Sequence, residues 1–167
     1  RDMNDADKLI KRDRMRYTRN KLSSSLVIVA ILFDVFFFVS IYKSDVGTFY
    51  YNILVGASII YNLVFMLAAF LSSEGVKEYN EKYSYLLIVL GIIQFVRIFI
   101  IPFKAHNTIV VVSSVERRVM ENGQFVRCII YLVLSALCLL SAAIIGIIRS
   151  RELKEYLKTL KEEVRRD

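Results

Sequence analysis

The sequence predicts an all-α integral membrane protein: a four-transmembrane-helix bundle with both termini cytoplasmic, whose fourth span continues as a cytoplasmic C-terminal helix. Three observations predict it. Four apolar runs, at residues 22–42, 49–71, 84–103 and 125–148, are each long enough to cross ~30 Å of hydrocarbon as a helix. The composition is 56% hydrophobic with a single proline in 167 residues, a balance that suits lipid rather than water. Finally, alternating spans put seventeen Lys or Arg on the side of residues 1–21, 72–83 and 149–167, and four on the side of 43–48 and 104–124. Cytoplasmic loops carry such an excess, so the basic side is read as cytoplasmic and the membrane as a plasma or inner membrane.

This divides the chain into a basic N-terminal segment (1–21), a transmembrane domain (22–148) and a charged C-terminal helix (149–167). No segment is long enough for a separate soluble catalytic domain of at least about 50 residues. Residues 1–21 lack an apolar core followed by a small-residue cleavage site, so no signal peptide is expected within them.

In the N-terminal segment, Lys8, Lys11, Arg12, Arg14, Arg16, Arg19 and Lys21 stand among four Asp, with Asp7 and Lys11 at the i, i+4 spacing that supports a helix. Met3, Ala6, Ile10 and Tyr17 fall roughly on one side. The segment reads either as a weakly amphipathic helix lying on anionic headgroups or as a charged flank that only orients the first span. Few aromatics interleave with its charges, so nucleic acid is not the expected partner.

Span one carries a single charge, Asp34, and ends in a tight connection, Lys43 to Thr48. Span two includes Asn52, Tyr61 and Asn62, and Tyr42, Phe49, Tyr50 and Tyr51 gather at one membrane edge. Residues 72–83 read as a polar loop with Gly75 and five charges. Span three, the expected organiser of the bundle, carries Gln94 and Arg97 and is ended or kinked by Pro102. In the connection 104–124, Ser113 and Glu116 have capping-box spacing, which predicts a short surface helix through Met120. The β-branched run Thr108 to Val112 leaves a small hairpin as the alternative.

Span four contains Ser135, Ala142 and Gly146, small residues that let helix backbones approach closely, so it is expected to pack against a neighbour in this or another chain. Beyond it, Leu153, Leu157, Leu160 and Val164 recur at steps of four, three and four. That is the spacing of a coiled-coil seam that a partner helix would bury, or else a solvated end to the span.

The candidate site lies inside the membrane. Spans one and three run in the same direction, which puts Asp34 and Arg97 at comparable depths of ~18 and ~20 Å. A lone charge at mid-membrane costs several kcal/mol, so a complementary partner is expected. Gln94 lies one turn from Arg97 on the same face, and Asn62 lies at a neighbouring level. The expectation is a buried Asp34–Arg97 pair, hydrogen-bonded by Gln94 and Asn62, with an Asp34 that faces water as the alternative.

Cys128 and Cys138, ten positions apart on span four, fall on different helix faces and cannot pair with each other. His106 is the only histidine. No cofactor and no metal site is expected. There is no His-Glu-x-x-His, no Gly-x-Ser-x-Gly and no phosphate-binding glycine loop. The functional expectation is therefore non-enzymatic: an accessory, scaffolding or assembly subunit that works with lipids and with other subunits or copies of itself. A small oligomeric transporter or channel with Asp34 and Arg97 in its path is the alternative.

Overall fold

A computed structural model describes residues 5–17, 19–42, 53–100 and 102–166. The elements in order are α1 (Asp5–Tyr17), α2 (Lys21–Tyr42), α3 (Ile53–Lys77), α4 (Glu81–Ile100), α5 (Pro102–Asn107), β1 (Ile109–Val112), β2 (Val115–Arg118) and α6 (Asn122–Val164). The connection 43–48, the aromatic edge at Phe49, Tyr50 and Tyr51, and Asn52 lie outside the described residues, as does the Tyr42 side chain.

Four helices, α2, α3, α4 and α6, are long and apolar enough to cross a membrane. Each also turns large apolar side chains outward: Leu32, Leu63, Val89 and Leu137 are all about half exposed. A bundle that is apolar on its outside as well as its inside is suited to lipid, since water would demand a polar outer face.

The packing runs in a ring, α2 against α3, α3 against α4, α4 against α6 and α6 against α2, so that α2 and α4 face each other across the diagonal. It is heaviest where α6 meets α2 and α4. Span four, rather than span three, is thus the helix around which the bundle closes. The reason is its inner face, where Ser135, Ala136, Ala142, Ala143 and Gly146 are all buried and bring backbones close. A Cβ on Gly146 would stand 2.4 Å from Ser84 Oγ.

The polar stretch 72–83 is mostly helix, not loop. α3 continues to Lys77 and α4 begins at Glu81, leaving only a short turn in which Tyr79 has a φ of 60°. Hydropathy marks where lipid ends, whereas helices continue through Glu74, Lys77 and Lys82 because those side chains favour helix. Gly75 is required here, because a Cβ would fall 2.1 Å from the Tyr83 ring.

Polar contacts fasten this end of the bundle. Asn20 precedes α2, its N–H donating to Lys77 O at 2.9 Å and its Oδ1 accepting from Arg149 Nη1 at 2.9 Å. Ser24 and Ser73 share a hydrogen bond of 2.7 Å between their Oγ atoms. Ser150 Oγ donates to Tyr79 O, while Arg151 and Lys154 pair with Glu81.

At the other end the surface helix expected through Met120 is instead a β-hairpin, Ile109–Val112 paired antiparallel with Val115–Arg118. Ser113 and Ser114 form its two-residue turn with φ of 53° and 64°, the positive values of the hairpin turn that matches strand twist. Ser113 therefore sits in the turn rather than capping a helix, and the β-branched strand decides the outcome. His106 anchors the hairpin. Its ring stacks on Phe125 with centroids 4.2 Å apart, and it bridges Met120 O at 3.2 Å and Arg118 Nη1 at 3.0 Å. A guanidinium only donates and a carbonyl only accepts, so Nδ1 carries the hydrogen and Nε2 accepts.

Candidate functional site

The interior is layered. One apolar cluster, including Val27, Phe65, Leu87 and Leu139, fills the end that carries both tails, and a second, including Phe37, Ile41, Met120 and Leu132, fills the far end. Between them lies a polar layer built from all four spans: Asp34 on α2, Asn62 on α3, Gln94 and Arg97 on α4, and Ser135 on α6. All five are buried, Asp34 completely.

Arg97 reaches across the diagonal to Asp34, Nη1 to Oδ1 at 2.7 Å. The same Nη1 lies 3.2 Å from Gln94 Oε1, and Nη2 donates to Asn62 Oδ1 at 3.2 Å. Gln94 turns its amide nitrogen to Asp34 Oδ1 at 3.1 Å and to Ser135 Oγ at 2.9 Å. Ser135 Oγ in turn donates to the Ala30 carbonyl at 2.9 Å, closing the layer back onto α2. The four residues expected to cluster from their depth are thus brought together by the fold.

Two features of the layer were not expected from sequence. Ser135, read as a packing residue, is also a hydrogen-bonding member. Arg97 is boxed by aromatic rings, with its guanidinium carbon 4.9 Å from the Phe37 centroid, 5.0 Å from Tyr61 and 5.8 Å from Phe65. Such ring faces attract a cation by ~0.5–2 kcal/mol each, most strongly when water is excluded. The available signal was spacing: Phe37 lies three residues from Asp34, while Tyr61 and Phe65 flank Asn62 at −1 and +3, which puts each ring near its polar neighbour.

Two buried atoms of the layer, Asp34 Oδ2 and Arg97 Nε, have no hydrogen-bond partner. The arrangement can therefore hold helices in register through charge and hydrogen bonds, and it retains one spare acceptor and one spare donor.

The remaining candidates lie apart from the layer. Ala142 and Gly146 are buried within the same chain, Gly146 against Ser84 and Val76. Leu153, Leu157 and Leu160 are half-buried and Val164 is 77% exposed. Beside them, Tyr156 is buried and its hydroxyl donates to Asp13 of α1 at 3.2 Å, so the N-terminal helix lies along a neighbouring face of α6. Lys8, Lys11, Arg14, Arg19 and Lys21 are exposed, and Lys8 pairs with Asp5 at 3.5 Å. The side chains of Arg12 and Arg16 lie outside the described residues. Cys128 and Cys138 are free thiols.

No family model, no curated protein and no solved structure matches the chain.

Proposed function

We propose that the chain is a non-enzymatic accessory or assembly subunit of a larger membrane protein complex, multi-pass in a plasma or inner membrane with both termini cytoplasmic. The single observation that carries this reading is the seam on α6. From Cys128 through Leu132, Ser135, Leu139, Ala142, Gly146 and Ser150, buried residues recur at steps of four and three. The same steps continue through Leu153, Leu157, Leu160 and Val164, running past Lys154, which still pairs with Glu81 of α4, to a Val164 that is 77% exposed. A core-facing seam that outlasts its own core is a surface for another helix.

The polar layer supports the same reading. A carboxylate tied to a fixed guanidinium serves to set packing more often than to move a substrate, and here the layer ties all four spans together. The excess of basic residues at the end that carries both tails supports the cytoplasmic assignment, with the basic tail near an anionic leaflet.

The test is purification in mild detergent from the native membrane, followed by mass spectrometry. A stoichiometric partner is expected with the intact chain and should be absent when residues 150–167 are deleted or Leu157 and Leu160 are changed to Lys. Recovery of a pure, discrete homo-oligomer in every case would overturn the accessory role.

One observation favours a second reading, a small oligomeric transporter or channel: the spare Asp34 Oδ2 and Arg97 Nε deep in the bundle. That reading predicts flux in liposomes that Asp34→Asn abolishes. Absence of flux from the intact, correctly folded chain removes it.

A further inference from the structure

Between α1, the start of α2, Tyr79 of the turn before α4 and the stretch of α6 from Ile145 to Glu152 lies a half-open cleft of about 640 Å³. That volume falls in the ~300–1,000 Å³ range of small-molecule sites. Its wall changes character along the bundle axis. Leu22, Ile145 and Ile148 belong to the ends of the apolar runs, and Leu22 and Ile148 are 48% and 52% exposed. Next to them, where the sequence turns from apolar to charged, the wall carries Lys11, Arg14, Arg19 and Arg149, drawn from both tails. Two acids, Asp7 and Glu152, also line the cleft, so its cations outnumber its anions two to one.

We infer that this cleft binds one anionic phospholipid, its phosphate held by Arg19 and Arg149 with Lys11 beside them, and its acyl chain lying along Leu22 and Ile148. The chemistry follows from the wall. Arg149 is positioned by its hydrogen bond to Asn20 Oδ1 at 2.9 Å, which commits one of its five donors and leaves the rest for an oxyanion. Guanidinium groups suit phosphate because their N–H donors match two oxygens at once. A soluble phosphate would satisfy the basic wall but leave the apolar wall bare, whereas a lipid covers both. The excess of cations favours an anionic headgroup over a zwitterionic one. A bound lipid would also join α1 to the bundle, since α1 lies against α6 beside the cleft, where Asp13 accepts from the Tyr156 hydroxyl. The inference does not depend on whether the chain assembles with other subunits.

The test uses the full chain in neutral detergent and native mass spectrometry with added phosphatidylglycerol, phosphatidylcholine or phosphatidylethanolamine. One phosphatidylglycerol is expected to remain bound, in preference to the other two. At roughly 1 kcal/mol per basic residue near an anionic surface, Lys11→Gln with Arg19→Gln should weaken it about 30-fold. The control, Lys8→Gln with Lys82→Gln, removes the same charge from the same end but outside the cleft, and should weaken it less than about threefold. Ile148→Asn should weaken the lipid without changing the melting temperature. Equal losses from the two double variants would mean diffuse attraction and overturn the site. Equal retention of phosphatidylcholine or phosphatidylethanolamine would overturn the anionic specificity, and displacement by millimolar inorganic phosphate would identify a free-phosphate site instead.

Discussion

Neutralising the two charges of the polar layer should be asymmetric and strongly non-additive. In Asp34→Asn the side chain keeps an oxygen for Arg97 Nη1 and Gln94, while its new amide nitrogen takes the place of Oδ2, which has no partner. Arg97 then keeps Gln94 Oε1, Asn62 Oδ1 and three ring faces. Breaking a buried pair costs about 3–5 kcal/mol, and these remaining partners should hold the loss to the lower end. Arg97→Gln is worse. It leaves the Asp34 carboxylate with a single donor, Gln94, in a layer sealed between two apolar clusters, so the loss should reach the upper end. With both changes made no charge is stranded, and the double variant should be less impaired than Arg97→Gln alone. The coupling should be about 3 kcal/mol or more, the upper end of what contacting residues show. Unfolding of the full chain from mixed micelles by increasing sodium dodecyl sulfate, followed by circular dichroism, measures all four corners of the cycle. Additive losses, or an Asp34→Asn that costs as much as Arg97→Gln, would refute the pairing.

Three further outcomes follow from the packing. Gly146→Ala should destabilise the bundle by about 1–3 kcal/mol, because its Cβ would meet Ser84 Oγ at 2.4 Å. Adding Ser84→Ala should recover most of that in the same unfolding assay, since it removes both the clash and a buried hydroxyl without a partner. His106→Phe keeps the stack on Phe125 but loses both ring hydrogen bonds, so amides of residues 109–118 should exchange faster by hydrogen-exchange mass spectrometry while the spans remain protected. Ser114→Gly should do the opposite, slowing exchange in the hairpin by relieving a φ of 64° at a cost of about 1 kcal/mol in the native sequence.

The spans were legible because lipid acts on every residue of a helix, so length and apolarity identify them without knowledge of what packs where. Their ends were not, because the helical backbone continues past the lipid, as at Glu74 and Glu81. The hairpin shows a different limit: Ser113 and Glu116 have the spacing of a helix start, but such local hydrogen bonding competes with strand pairing, which only the full segment decides. In the polar layer, Asp34 and Arg97 stood out because charge is rare in lipid. Phe37, Tyr61 and Phe65 were hidden by the opposite circumstance, since apolar rings are ordinary there and only their spacing to a polar residue sets them apart.

The polar layer also governs what lies outside the membrane. Small residues alone would let α6 slide against α2 and α4, but a shift of one turn, about 5.4 Å, would take Ser135 away from both Gln94 and the Ala30 carbonyl. The layer therefore fixes the rotation of α6, and because the helix runs unbroken to Val164 it fixes which way Leu157, Leu160 and Val164 face. If that direction matters for assembly, rotation should count for more than distance. Two alanines inserted after Tyr156 turn the distal stripe by ~200° and lengthen the helix by ~3 Å, whereas four turn it by ~40° and lengthen it by ~6 Å. Both leave the Tyr156 contact with Asp13 and the Glu81 pairs in place. Co-purification of a partner should be lost with two alanines and kept with four. Loss in both, or retention in both, would show that the stripe is not read in register with the bundle.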